Sequence, residues 1–160
     1  AKGKHQLQPI VQEALRLIGF KVEDQPDKDS DGLVTSEYGC ALLEVAGSTG
    51  TIRIEKFGEL VTNVGNFIKQ KGQKVGGILV GNPFCEEPID NRPPKDSQKQ
   101  LFAKELLESA EKQDIAVLLS ADLYELVTRI LSDKISDNQK LSVRQKIFEA
   151  NGLLRLSQLL

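Results

Sequence analysis

Ile78-Leu79-Val80, between Gly76-Gly77 and a proline-rich segment, constrains the fold most. A short, unbroken apolar run bounded by turn residues reads as a strand that is covered on both faces. Two similar runs, Ala41–Val45 and Ile115–Leu119, flank it in sequence. Covering such strands requires amphipathic helices, and the sequence supplies them. Leu7, Ile10, Val11, Ala14, Leu15 and Ile18 form a helical stripe that Gly19 closes. Phe57, Leu60, Val61, Val64, Phe67 and Ile68 form a second, closed by Lys71-Gly72. A third helix is expected through Phe102, Leu106 and Ala110, a fourth capped by Ser120, and a fifth over 139–150. Between the first stripe and the second, a short strand at 20–23 and two runs around Ser36-Glu37-Tyr38-Gly39 read as a strand and a β-hairpin. The order α-β-β-β-α-β-α-β-α-α predicts a three-layer α/β domain with a mixed sheet flanked by helices. One domain is expected over 1–160, with its core at about 5–135 and a helical extension at about 137–160. The leucine-rich tail either completes that core or packs on a partner.

Composition narrows the function. The 160 residues carry 21 Lys plus Arg against 23 Asp plus Glu, so any nucleic-acid contact must come from a local patch. Lys69, Lys71 and Lys74, or Lys95, Lys99 and Lys104, would form such patches; the plainer reading is solvated helix ends. No apolar run reaches the roughly 18–20 residues of a membrane span, and the polar start is not a secretory signal. Cys40 and Cys85 fit no metal spacing, so reduced thiols and a cytoplasmic location are expected. A single histidine, His5, argues against histidine metal sites and a Ser-His-Asp triad.

The chemistry-bearing feature is a carboxylate pair. If Glu37 and Tyr38 form the hairpin tip, paired residue numbers sum to 75 and Asp31 faces Glu44, with Cβ atoms ~5 Å apart on one face of the sheet. Such a pair repels unless something holds it, commonly a divalent cation. Glu44 interrupts an otherwise apolar run, where a charge needs a partner or a metal. The plain alternative is a turn aspartate and a structural ion pair, and a one-residue slip would turn Asp31 to the other face.

Asp31 at the head of one strand, Glu44-Val45-Ala46 in the next, the Gly47-Ser48-Thr49-Gly50 bend and the helix opening Ile54-Glu55-Lys56 together resemble the PD-(D/E)XK nuclease-like superfamily, the restriction-endonuclease-like fold, over about residues 5–135. The resemblance implies that Asp31 and Glu44 hold Mg²⁺ (or Mn²⁺) against a scissile phosphate. It places the motif lysine at Ala46, which cannot serve. Lys56, on the following helix, is the displaced candidate, with Glu59 one turn on; Glu13 matches an accessory acid on the first helix. The plain reading of Lys56 is a solvated helix lysine. Three functions follow: a Mg²⁺-dependent nuclease; an inactive relative serving as a nucleic-acid or protein interaction module, in some contexts fused to a partner domain; or an unrelated α/β domain with structural acids. Elsewhere, Gly47–Thr51 lacks the Gly-Lys-Ser/Thr ending of a phosphate loop. Arg92, among prolines, is expected to be held toward a phosphate or a carboxylate, or to sit in an ion pair. Cys85 makes a poor nucleophile beside Glu86 and Glu87.

Overall fold

A computed structural model of the protein describes residues 4–24, 29–94 and 97–159. Lys95 and most of the acidic loop, residues 25–28, lie outside the described residues, as does the side chain of Lys99. The elements are α1 (Lys4–Ile18), β1 (Lys21–Glu23), β2 (Leu33–Ser36), β3 (Gly39–Gly47), α2 (Ile54–Lys71), β4 (Gly76–Asn82), α3 (Gln98–Leu101), α4 (Lys104–Lys112), β5 (Ala116–Leu119), α5 (Ser120–Leu131), α6 (Asp137–Glu149) and β6 (Gly152–Leu154). They form the expected three-layer α/β domain. The six strands lie in chain order across one sheet; β1–β3 are antiparallel and β3–β6 parallel.

Alternation along β3 divides the core. Leu43 and Val45 point to the face covered by α1, α5 and α6, together with Val80 and Leu118. Leu42 and Ala46 point to the face covered by α2 and α4, together with Leu79 and Val117. Both faces are apolar, which is why β3 reads as a continuous buried run and not as an alternating one. α1 ends in a Schellman motif: Gly19 has φ +107°, its N–H donates to the Arg16 carbonyl, and the Phe20 N–H donates to Leu15. α2 ends at Gly72 in the left-handed region.

Three expectations change. Ser120 is not a cap: Leu119 occupies that position, Ser120 is the first helical residue, and its hydroxyl donates to Asn82 Oδ1 instead. The third helix breaks at Phe102, because Ile52 forms a parallel bridge with it, donating to the Leu101 carbonyl and accepting from the Ala103 N–H. The segment after residue 137 is more than helical: Gly152–Leu154 pairs with β5 as the sixth strand and Leu156 is fully buried. The tail therefore completes the core.

The crossovers β3–α2–β4 and β4–α4–β5 run over one face. The crossover β5–α5–α6–β6 advances in the same direction along the sheet but over the other face, so its hand is opposite to theirs. It lays α5 beside α1. A buried ion pair anchors its return, with Arg155 Nε 2.9 Å from Asp122 Oδ2 in the first turn of α5. No helix among the described residues is long and apolar enough to cross a membrane.

Candidate functional site

The hairpin register follows the sum of 75: Leu33 faces Leu42, Val34 faces Ala41, and Ser36 faces Gly39. The ladder deviates just before β2. The Leu43 N–H donates to the Gly32 carbonyl while its own carbonyl accepts from the Asp31 N–H, both at 2.9 Å. Two residues thus oppose one, a β-bulge in which Gly32 takes φ +147°. The expected direct Asp31–Glu44 pairing is replaced by this arrangement. The bulge re-aims the Asp31 carboxylate, whose Oδ2 accepts the Val45 N–H at 2.7 Å and takes the place of a strand partner that β2 no longer offers. From α1, Gln12 donates to the Asp31 carbonyl at 2.8 Å and to Asp24 Oδ1 at 2.7 Å. Nothing in the spacing pointed to this buried glutamine.

Glu44 is buried on the α2 face of β3, two residues before the fully buried Ala46. At that point the sheet and α2 enclose a cleft of about 460 Å³ lined by Asp29, Asp31, Glu44, Gly58, Glu59, Thr62 and Asn63. Gly58 has no side chain to fill it, and a Cβ there would meet no atom within 4 Å. Asp31, Glu44 and Glu59 therefore share one cavity. Lys56 stands beside it through its 3.5 Å ion pair with Glu59 and is not in the lining. Glu13 lies elsewhere: on α1 it pairs with Arg16 at 3.4 Å and lines a separate groove against α5. Asp29 was legible only as part of an acidic loop, and its carbonyl accepts from the Asn63 amide on α2.

The donor set consists of hard carboxylate oxygens, the chemistry that suits Mg²⁺ or Mn²⁺, which keep several waters and take one or two protein carboxylates. Among the described residues, no three Asp, Glu, His or Cys side chains form a ready-made metal cage. A cation in this cleft would thus rely on water or substrate oxygens beside the protein ligands.

The neighbouring candidates are occupied with structure. In the Gly47–Thr51 bend, Ser48 Oγ accepts the Gly50 N–H and donates to the Thr51 carbonyl, both at 3.1 Å. The bend's carbonyls accept from Phe84 and Cys85. Arg92 is pinned by neutral acceptors: Glu87 O at 2.9 Å, Asn82 Oδ1 at 3.1 Å and Cys85 O at 3.4 Å. Lys69 and Lys71 are exposed in the last turn of α2, where cations oppose the negative end of the helix.

Neither a family model, nor a curated protein, nor a solved structure matches this chain. Fold and site define its class on their own: a three-layer α/β domain with an acidic cleft between a strand bulge and the following helix.

Proposed function

We propose that this chain is a nuclease-like domain of the PD-(D/E)XK type whose cleft binds Mg²⁺ or Mn²⁺ through Asp31 and Glu44 and acts on the phosphodiester backbone of nucleic acid. The observation that carries this reading is the convergence of Asp31, from the bulge before β2, and Glu44, from β3, on one cavity beneath α2. Three details support it. The Val45 N–H fixes the Asp31 carboxylate, so one prospective ligand is held in place before any cation arrives. Gly58 keeps the helix wall open. Lys56, 3.5 Å from Glu59, supplies a cation at the rim for orienting a phosphate. A bound divalent ion would polarise a phosphate oxygen and lower the pKa of an attacking water.

Ala46 favours a second reading. It is fully buried at the motif-lysine position, so an inactive relative that retains the cleft as a binding module needs no further change. Calorimetric titration of Mn²⁺ and Mg²⁺ tests the site directly. Asp31→Asn keeps an oxygen that can accept the Val45 N–H but loses the charge, and Glu44→Gln is nearly isosteric. Each should weaken binding about tenfold or more while the fold persists. Unchanged affinity in both variants would sink the cation site. Cleavage of circular duplex, single-stranded DNA or RNA that depends on Mg²⁺ and is lost in Lys56→Ala supports the nuclease. Cation binding without cleavage of any substrate selects the inactive module.

A further inference from the structure

On the opposite face of the sheet from the acidic cleft, α1 and α5 leave an apolar groove of about 780 Å³. It runs beside Leu7–Leu17 of α1 and Ser120–Arg129 of α5, about 15 Å, or two to three helical turns. Ala14 and Leu123 line it, and Ile10, Ile89 and Tyr124 stand at its rim, exposed by 64%, 64% and 71%. Solvated apolar side chains gathered around an apolar trough mark a partner surface. A small molecule would cover the floor and leave this rim wet, whereas a helix covers both.

Charge specifies the partner further. Glu13 on one wall pairs with Arg16, and Glu125 on the other pairs with Arg129, each at 3.4 Å. Arg92, where α5 begins, is held by neutral oxygens and has no carboxylate within ion-pair distance among the described residues. We propose that this groove docks a short amphipathic helix of a partner protein, its apolar stripe on Ala14 and Leu123 and an acidic side chain on the Arg92 guanidinium. The pinned guanidinium meets that carboxylate already oriented.

The probes are stapled twelve-residue helical peptides with leucines at i, i+3, i+4 and i+7 and either Glu or Lys at each end, titrated into the labelled full chain by fluorescence polarisation and amide NMR. Binding by the Glu peptides with Kd of about 100 µM or tighter, at least about tenfold ahead of the Lys peptides, is expected. Arg92→Gln should erase that preference, and Ile10→Lys or Tyr124→Lys, both at exposed positions, should abolish binding. No binding by any peptide, or no preference for Glu, would overturn the proposal. Concentration-dependent dimers lost in Ile10→Lys would give the groove to a second copy and overturn it as well. The acidic cleft plays no part in these outcomes.

Discussion

Two glycines show how far one residue's meaning depends on its surroundings. A Cβ at Gly81 in β4 would lie 2.5 Å and 2.9 Å from atoms of the buried Phe102 ring. Gly81→Ala should therefore cost about 1–3 kcal/mol in urea unfolding, by overpacking. Gly58, inside α2, meets nothing, so Gly58→Ala should stabilise the chain by about 0.5–1 kcal/mol through helix propensity. Gly58→Phe should instead block the cleft and weaken Mn²⁺ binding with the fold intact. Asp122, with no exposed surface, is the other decisive single residue. Asp122→Ala removes one side of the buried Arg155 ion pair and should destabilise the fold by on the order of 3 kcal/mol, read from chemical denaturation. Asp31 and Glu44 were legible because a charge at the edge of, or within, an apolar run is conspicuous. Asp122 was not: an acid in the first turn of a helix is ordinary, and its partner is 33 residues away.

Among the elements, the hairpin was the most readable. Its tip residues and apolar runs set the register, and the ladder follows it as far as Leu33. The bulge at Gly32 was not readable, since Asp-Gly is as common in plain turns. The hairpin tip is tied to α6, a contact the sequence does not signal. Arg144 donates to both carboxylate oxygens of Glu37, at 2.8 and 3.4 Å, and to the Ile18 carbonyl at the end of α1. Its hydrogen bonds hold the Glu37 carboxyl below the ordinary carboxylate value. The sign follows from the lowered folded-state pKa: this contribution to stability is complete above the ordinary value and is lost as pH falls through the depressed one. Urea midpoints measured between about pH 6 and pH 2 should fall less steeply in Glu37→Gln than in the parent chain. Equal slopes would remove the pair from the acid response. α6 itself has a capping box, Ser136 with Gln139, the S-x-x-Q pattern of a helix start.

For the whole molecule, the layering was legible and the closing strand was not. Buried strands between amphipathic stripes require helices on both sides of a sheet, so the three layers follow from pattern alone. Leu153 and Leu154 are too few to separate a strand from a helix by period, and a final crossover of opposite hand runs against the usual preference. Deleting residues 151–160 should therefore do more than trim a tail. It uncovers the β5 edge and removes Arg155 and Leu156, so the truncated chain should lose cooperative urea unfolding and bind hydrophobic dye. A truncated chain that unfolds like the parent would make β6 dispensable.

Because the strands lie across the sheet in the order of the chain, a growing polypeptide can assemble them in the order of its synthesis, each new strand finding its neighbour already paired. The exception is the end. Until residues 151–160 are in place to pair, β5 presents an open parallel edge, the kind of unpaired strand that invites pairing with another chain.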